Sequence, residues 1–225
     1  MATSSLDASA AASASSEGPS VAIIGCGPAG MFFLRQLEKE RERLLELKEK
    51  LETTETTTGT TSRTSTMEGE DADADTDSIG KLLLALPRPT VFEKDSRCGG
   101  LWQSKSMAPN SNTDINKNDG EGIYDGMWIN SPKEIFEFED YTFDEHFRRP
   151  MPSYITRQQV LGYIQGATND AIETYTNNGS ILFDTLVSWI DFDKTTKQFL
   201  VESVPSTGTP KGTFGICLFL FVCRT

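Results

Sequence analysis

The feature that most constrains this chain is a glycine-rich turn that follows a short apolar run. Residues 21–24 (VAII) are fully apolar, as expected for a buried strand of a parallel sheet. The turn after them reads Gly25-Cys26-Gly27-Pro28-Ala29-Gly30, and a stretch of helical period begins at about Ala29. A strand, a G-x-G-x-x-G turn and a helix in that order predict the first β-α unit of a Rossmann-like dinucleotide-binding fold.

The three glycines of the turn have separate physical roles. Gly25 permits the tight turn, Gly27 lets a pyrophosphate approach the backbone, and Gly30 allows the helix to pack closely on the strand. The N-terminus of the helix offers free N–H groups and the positive end of the helix dipole to a phosphate. Because such a string also occurs as a plain glycine turn, the flanking strand and helix carry the prediction.

An acidic residue at the end of the second strand should complete this site by hydrogen-bonding a ribose. Glu93 ends the predicted strand of residues 89–93 (PTVFE). The acid usually lies about 20 residues after the glycines, and here a long charged helix and an acidic, Thr-rich segment separate them. A surface glutamate in a Glu-Lys pair is the alternative interpretation of Glu93.

Two segments are too polar to bury a core. Residues 53–78 carry seven acidic residues and one basic residue, and residues 1–19 are rich in Ala and Ser. Neither offers enough apolar surface to offset the entropy of ordering. We therefore expect a disordered tail over residues 1–19 and a disordered insertion over residues 53–78, within one domain that spans residues 20–225.

The remaining pattern predicts an α/β fold class. Residues 131–134 (SPKE) and 156–159 (TRQQ) have the form of capping boxes that start helices. Apolar residues follow the second box at helical spacing, and residues 181–192 and 198–204 resemble strands joined by a hairpin at residues 193–197. We expect a Rossmann-like parallel sheet, a helical segment and a β-meander.

Composition excludes several functional classes. A net charge of −12 over 225 residues disfavours a nucleic-acid partner. No run reaches the roughly 18 apolar residues of a transmembrane helix, and no secretory signal is recognisable. A single histidine excludes a multi-His metal site, and four scattered cysteines indicate neither a disulfide framework nor a zinc site. We expect a cytoplasmic protein without a metal; the pattern leaves the oligomeric state undetermined.

Several further segments follow the glycine turn in a fixed order. Glu93 is followed by residues 99–102 (GGLW), then by residues 124–134 (YDGMWINSPKE), residues 138–143 (FEDYTF) and residues 219–225 (FLFVCRT). In this order the motifs resemble those of the flavin-containing monooxygenase family, the N,N-dimethylaniline monooxygenase-like proteins. The resemblance spans residues 21–225 with the insertion skipped.

The resemblance implies that the chain binds FAD and assigns roles to individual residues. Glu93 would bind the adenosine ribose, and Leu101 and Trp102 would lie against the flavin side of the cofactor. Asn130, with Ser131, would lie near the flavin ring and the nicotinamide. Asn130 is the implied catalytic residue, because its amide can donate and accept hydrogen bonds without supplying a proton. The implied pyrophosphate-binding residues are those of the fingerprint: Gly25, Cys26, Gly27, Pro28, Ala29 and Gly30.

The resemblance also implies an activity. NADPH would reduce FAD, and a C4a-hydroperoxyflavin would oxygenate a soft nitrogen or sulfur nucleophile, so the partners are O2 and a small nucleophilic substrate. The sequence stops at Thr225, before the family's second G-x-G-x-x-G, which would bind NADPH. We expect an N-terminal portion, truncated before the NADPH domain, with little activity of its own. A non-catalytic flavin-binding fragment and another FAD oxidoreductase of the same fold are the alternatives.

Overall fold

The computed structural model describes residues 18–58, 70–103, 126–206, 212–216 and 219–222. Two helices lie between the first two strands, and an antiparallel meander follows the longest helix of the second half. Among the described residues, single 3₁₀ turns lie at Gly100–Trp102 and Lys133–Ile135. The other elements are β1 (Ser20–Ile24), α1 (Pro28–Thr58), α2 (Glu70–Ala85), β2 (Arg88–Phe92), α3 (Phe143–Phe147), α4 (Arg157–Asn177), β3 (Ile181–Leu182), β4 (Thr185–Asp193), β5 (Gln198–Pro205), β6 (Gly212–Ile216) and β7 (Phe219–Val222).

A four-stranded parallel sheet contains β1 near its centre. The strand order is β3-β2-β1-β7, and each neighbouring pair is parallel. Val21, Ala22 and Ile23 are buried, as a continuous apolar run predicts for a strand with neighbours on both sides. The predicted α/β class with a Rossmann-like parallel sheet is confirmed.

A three-stranded antiparallel sheet, in the order β4-β5-β6, forms the predicted meander. Val201 of β5 is fully buried in one cluster with Ala22 and Phe92 of the parallel sheet. The prediction of one strand over residues 181–192 is wrong, because β3 pairs with β2 whereas β4 pairs with β5. The chain changes sheets at Asp184, whose φ of 50° lies in the left-handed region and ends the extended run.

Helix α4 begins at the predicted capping box. The Thr156 hydroxyl accepts the Gln159 N–H, and the Gln159 side chain accepts the Thr156 N–H. The predicted apolar face is buried through Val160, Leu161 and Ile164. These contacts explain why the helix begins here, since its first orphan N–H groups are satisfied by side chains.

The box at residues 131–134 gives less than the predicted helix. Pro132 is the residue before a single 3₁₀ turn, Lys133–Ile135, and no side-chain cap is present there. The Ser131 hydroxyl instead donates to the Asn130 side-chain oxygen at 3.5 Å. Without a cap, the turn does not extend into an α-helix.

The chain divides into two compact units, of which one holds both sheets, α3, α4 and the first turns of α1. This unit comprises Ser20–Glu40 and Pro87–Thr225, and the other comprises Met1–Pro19 and Arg41–Leu86. The boundaries predicted from the sequence stay a prediction.

Helix α1 begins in an apolar core and becomes polar along its length. Met31, Leu34 and Leu37 are buried, whereas most of residues 41–52 are exposed. Two i,i+4 ion pairs lie in that exposed part, Glu46 with Lys50 at 3.6 Å and Lys48 with Glu52 at 3.7 Å. Within the described ranges no helix is both long enough and apolar enough to cross a bilayer.

Helical backbone enters both ends of the segment predicted as a disordered insertion. Helix α1 continues to Thr58, and α2 begins at Glu70, so residues 53–58 and 70–78 differ from that prediction. Residues 59–69 and residues 1–17 of the predicted tail lie outside the described part of the chain.

Replacing Thr156 with Ala should destabilise the unit that contains α4. The variant loses the acceptor for the Gln159 N–H, and loss of an N-cap costs about 1 kcal/mol. Chemical denaturation should therefore show a lower free energy of unfolding. Thr174→Ala, at an exposed position of the same helix, is the matched control and should leave stability unchanged or slightly higher. Equal stability of the two variants would contradict the assignment of the cap.

Candidate functional site

The glycine turn and the end of β2 lie at the same edge of the parallel sheet. The register pairs Ile24 with Phe92, and the Gly25 N–H continues the ladder by donating to the Phe92 carbonyl at 2.8 Å. Gly25 has a φ of 93°, in the left-handed region that favours glycine. The carboxyl ends of parallel strands share one edge, so the residue after Phe92 lies beside the turn.

That residue is Glu93, whose carboxylate is buried and oriented toward the turn. Its side chain is 2% exposed, and Oε2 accepts the Cys26 N–H at 2.5 Å while Oε1 accepts the Asp95 N–H at 2.9 Å. Its backbone is held on the other side, where its N–H donates to Leu182 and its carbonyl accepts the Thr185 N–H. Four backbone groups therefore hold Glu93, two at its carboxylate and two at its main chain.

Burial sets the electrostatics of Glu93. Desolvation raises the pKa of its carboxyl above the ordinary value of 4.5, and the like charge of Asp95 acts in the same direction. The N–H bonds from Asp95 and Cys26 and the charge of Lys94 oppose the shift without cancelling it. A buried carboxylate with a raised pKa beside a glycine turn is a typical feature of a binding site.

A cavity adjoins this carboxylate. Each carboxylate oxygen has two lone pairs, so Glu93 keeps acceptor capacity after binding the two N–H groups. A sugar hydroxyl suits these acceptors, because it can donate a hydrogen bond to a carboxylate. The lining residues are Ile24, Gly25, Phe92, Glu93, Lys94, Thr185, Leu186 and Val187.

Gly30 is required by the close approach of helix and turn. A Cβ at this position would lie 2.6 Å from the Gly25 carbonyl oxygen. The Gly27 carbonyl accepts the Met31 N–H at 3.0 Å, so the helical hydrogen bonds begin inside the fingerprint. Pro28 is the first residue of α1, where its missing N–H has no cost. The geometry agrees with the role predicted for Gly30 from the sequence.

Cys26 is bonded to Cys98 in a disulfide, contrary to the expectation from the scattered cysteines. The two residues are 72 positions apart, with their Cα atoms 4.8 Å from each other. The Gly99 N–H also donates to the Cys26 carbonyl at 2.8 Å. The pairing follows from the parallel ladder, which brings the segments after β1 and β2 together even though they are distant in sequence.

The 3₁₀ turn that holds Leu101 and Trp102 is attached to α4 by a buried arginine. Arg157 is 1% exposed, and its guanidinium donates to the Trp102 carbonyl at 2.6 Å. The Arg157 backbone N–H donates to the Met127 carbonyl at 2.9 Å. One residue thus fixes both the segment of Trp102 and the segment that leads to Asn130. Leu101 is 39% exposed.

Asn130 is exposed on a loop whose backbone is pinned on both sides. The Ile129 N–H donates to Ile155 at 3.0 Å, and the Lys133 N–H donates to Ser153 at 2.6 Å. The Lys133 ammonium is buried and lies 3.0 Å from the Asp144 carboxylate. Burial alone would lower the pKa of Lys133, but the Asp144 hydrogen bond and neighbouring carboxylates raise it above its ordinary value. The lysine stays charged and anchors the loop.

The structure brings together some of the predicted site residues and leaves others apart. Gly25, Cys26 and Glu93 form one hydrogen-bonded group, and Trp102 is linked to the Asn130 segment through Arg157. Within residues 18–58, 70–103 and 126–206, no hydrogen bond joins Asn130 or Ser131 to the glycine turn.

Three parts of this site were not predicted from the sequence. They are Cys98 in the disulfide, Arg157 at the Trp102 carbonyl and residues 185–187 in the cavity wall. Cys98 could have been found, since it follows a strand predicted to lie beside the strand before Cys26. Arg157 lies in the first turn of a helix, where nothing nearby in the sequence indicates a bond to Trp102. Residues 185–187 carry no motif, so their position in the cavity wall could not be predicted from local sequence.

Comparison with known proteins agrees with this geometry. Residues 82–197, just over half of the chain, match the family model described as flavin-binding monooxygenase-like. The chain belongs to this family. The matched residues include Glu93, the 99–102 motif and Asn130, and the glycine turn precedes them.

Monooxygenases are among the curated relatives of this family member. Trimethylamine monooxygenase of Methylocella silvestris is 41% identical over 128 residues, which is 55% of this chain and 26% of that protein. Trimethylamine monooxygenase of Pelagibacter ubique is 29% identical over 185 residues, 77% of this chain and 29% of that protein. The matches therefore span between a quarter and a third of the length of these relatives.

Solved structures of flavin monooxygenases share the fold. The crystal structure of Tmm from Pelagibacter sp. superposes with a TM-score of 0.57 at 24% identity, over 90% of this chain and 35% of that one. S-allyl-L-cysteine S-oxygenase from Allium sativum gives a TM-score of 0.54 at 20% identity, over 92% of this chain and 36% of that one. These structures support the fold, and the family-model match over residues 82–197 confirms the predicted membership of a flavin monooxygenase family.

The raised pKa of Glu93 should make stability depend on pH in a defined direction. Between 4.5 and the higher folded-state pKa, the unfolded chain releases the proton that the folded chain retains. The free energy of unfolding therefore loses its Glu93 contribution as pH rises through this window. Glu93→Gln removes that contribution, so the stability of the parent minus that of the variant should fall with rising pH.

Denaturant titrations at several pH values measure this difference. Glu202→Gln, at an exposed position of β5, is the matched control and removes one carboxyl without touching the turn. If the free energy of unfolding of the parent minus that of Glu93→Gln rose with pH, the pKa of Glu93 would be lower in the folded chain than in the unfolded chain. That result would contradict the raised pKa.

Proposed function

We propose that this chain is the FAD-binding part of an NADPH-using monooxygenase that oxygenates soft nitrogen or sulfur nucleophiles. The observation that carries the proposal is the buried Glu93 carboxylate, which accepts the Cys26 N–H of the glycine turn and lines a cavity beside it. A dinucleotide needs both partners at one sheet edge, because its pyrophosphate and its ribose are separated by a single linkage.

The residues of the turn suit the pyrophosphate of FAD. The N-terminus of α1 provides N–H groups at Ala29 and Gly30 and the positive end of the helix dipole, both of which favour an anion. Gly27, lacking a side chain, leaves the backbone open to a phosphate. Glu93 would accept the hydroxyl groups of the adenosine ribose, with residues 185–187 forming the wall beside it. FAD therefore fits this donor set.

The other proposed contacts concern the flavin end of the cofactor. Leu101 and Trp102 would lie against its flavin side, on a turn that Arg157 holds in place. Asn130 and Ser131 would lie near the flavin ring and the nicotinamide, on the loop pinned by Lys133. Bound FAD, once reduced by NADPH, supplies the oxygen-activating chemistry that the protein itself lacks.

The contribution proposed for Asn130 is to orient and shield the reacting centre. A carboxamide presents two donors and an acceptor and holds no ionisable proton near neutral pH. Asn130 can thus hydrogen-bond an oxygen-bearing group without protonating it. The hydrogen bonds of the Ile129 and Lys133 N–H groups restrict the backbone that carries Asn130, which supports a positioning role.

The substrate class follows from two relatives of different similarity. The Methylocella relative is named for trimethylamine, a tertiary amine, at 41% identity over the matched region. The Allium structure is named for the sulfur of S-allyl-L-cysteine and supports the fold alone. The Methylocella relative therefore supports small tertiary amines as the first substrates to test, with O2 as the co-substrate. Sulfur nucleophiles stay the alternative that the sequence motifs imply.

The chain should bind FAD in preference to FMN. FMN lacks the adenosine and the second phosphate, so it cannot reach Glu93 while its phosphate occupies the turn. Titration of the purified chain, followed by flavin fluorescence, should show one FAD site, competition by ADP and no comparable FMN site. Glu93→Gln should raise the Kd for FAD at least about tenfold, as expected for loss of a hydrogen bond to a charged group.

The exposed substitution Glu202→Gln is again the matched control and should keep the FAD affinity of the parent. Thermal unfolding of both variants separates a lost contact from a lost fold. A chain that unfolds cooperatively but binds no flavin would overturn the proposed function. Binding of FMN as tight as that of FAD would remove Glu93 from the cofactor site.

Asn130→Ala should change the environment of the bound flavin ring without weakening the adenosine end. We expect a Kd for FAD within about threefold of the parent, because the ring contributes less than the charged contacts. The visible absorption bands of FAD bound to this chain should shift. In a full-length form that carries the NADPH site, turnover of the variant should release more hydrogen peroxide relative to product. Asn177→Ala, at an exposed position of α4, should leave the flavin absorption bands and the peroxide release unchanged. An unaltered flavin spectrum and unaltered coupling would remove Asn130 from the site.

A further inference from the structure

We propose that Cys26 and Cys98 form a reversible thiol–disulfide site that controls how tightly the chain holds its flavin. The inference rests on the proposed function, because the two cysteines belong to segments that would contact FAD. Cys26 is the second residue of the glycine turn, and Cys98 immediately precedes the 99–102 motif. The pair therefore connects the pyrophosphate end and the flavin end of the proposed site.

The contacts around the disulfide make it a link between two loops that otherwise share few bonds. The Gly99 N–H donates to the Cys26 carbonyl at 2.8 Å, and the Gln103 side-chain amide donates to the Cys98 carbonyl at 2.6 Å. Gly99 has a φ of 127°, so the loop turns sharply at the residue after Cys98. Reduction would leave the Gly99 hydrogen bond in place and remove the covalent tie.

The two sulfurs differ in how a reagent can reach them. Cys26 is 0% exposed and Cys98 is 7% exposed. Cys98 lines a surface groove of about 510 Å³, together with Met31, Ser96, Arg97 and Gln103. This volume admits a small thiol or a peroxide, so exchange would begin at Cys98. Arg97 lines the same groove, so a basic residue lies on the approach to Cys98.

The chemistry is a balanced two-electron exchange. In oxidation, the Cys98 thiol loses its proton and the thiolate attacks hydrogen peroxide. The O–O bond breaks, a sulfenic acid forms, and the departing hydroxide takes up the proton and leaves as one water. The Cys26 thiol then attacks that sulfur, the S–S bond forms and a second water leaves. In reduction, the thiolate of a small dithiol attacks Cys98, Cys26 leaves as a thiolate and takes up a proton, and the second thiol of the reagent releases Cys98.

The disulfide should strengthen flavin binding. The loops after β1 and β2 must be held together when one cofactor contacts both. A covalent tie imposes that order beforehand and reduces the entropy lost on binding. We expect FAD to bind about tenfold more tightly in the oxidised chain, equivalent to about 1.4 kcal/mol. Disulfides of reducing compartments are usually transient and redox-sensing rather than permanent, which is the behaviour proposed here.

The test compares the full chain in two redox states. One sample is oxidised with hydrogen peroxide and the other is reduced with dithiothreitol, and each is freed of reagent under anaerobic conditions. Mass spectrometry of alkylated peptides assigns the 26–98 disulfide, and flavin fluorescence gives the Kd for FAD in each state. Re-reduction of the oxidised sample should restore the weaker affinity.

Cys98→Ser supplies the variant, since a hydroxyl replaces the thiol at nearly constant size. It should bind FAD with the affinity of the reduced parent and show no response to either reagent. Cys217→Ser and Cys223→Ser, the two other cysteines of the sequence, are matched controls that should keep the tenfold response. Thermal unfolding of each variant identifies any that does not fold.

The outcomes separate the two proposals. Absence of flavin binding in both states, with the 26–98 disulfide formed and reduced as expected, would contradict the proposed function. Equal affinity for FAD in both states would overturn this inference and leave the proposed function intact. Failure of the 26–98 peptide to change between the two treatments would also overturn it, because the site would then not be reversible.

Discussion

The parallel pairing of β1 with β2 is the constraint on which the site depends. Its register pairs Ile24 with Phe92, and the Gly25 N–H donates to the Phe92 carbonyl. The next residue, Glu93, has a buried carboxylate that accepts an N–H from the glycine turn. The same pairing brings Cys26 to Cys98. A shift of one residue in this ladder would point Glu93 to the other face of the sheet and separate all of these contacts at once. The contacts that build the site therefore depend first on the register of β1 and β2.

Two buried cations hold the remaining segments, although the chain as a whole is strongly acidic. Arg157 reaches the Trp102 carbonyl, and Lys133 lies among carboxylates beside the Asn130 loop. Each is buried with hydrogen-bonded partners, which is the condition under which a charge is tolerated in an interior. Removal of the Asp144 carboxylate would take the nearest counter-charge from the buried Lys133 ammonium, and removal of Arg157 would take the donor from the Trp102 carbonyl. These segments are thus held by polar side chains where regular secondary structure is sparse.

Local patterns predicted much of the fold and the centre of the site. The apolar run before the glycines, the capping box at Thr156 and the acid after β2 are each encoded within a few residues, and the structure agrees with them.

Contacts between distant segments were harder to predict. The change of sheet at Asp184 depends on a left-handed backbone inside an apolar run, and Arg157 acts on a carbonyl 55 residues away. The helical backbone of residues 53–58 and 70–78 was not predicted. The prediction rested on the polar composition of the segment, which says nothing of the order of charges along a helix.

The long connection between β1 and β2 bears on how the chain is assembled during synthesis. Entropy of loop closure rises slowly with length, by about 0.6 kcal/mol per doubling, so α1 and α2 cost little in the finished protein. Non-local pairing nevertheless slows folding. During synthesis, the hydrogen bond between the Cys26 N–H and Glu93 cannot form until β2 has been translated. The bond from Arg157 to the Trp102 carbonyl forms later still, after residue 157 has been translated. Until then β1 is an apolar strand without neighbours, the kind of segment that chaperones shield.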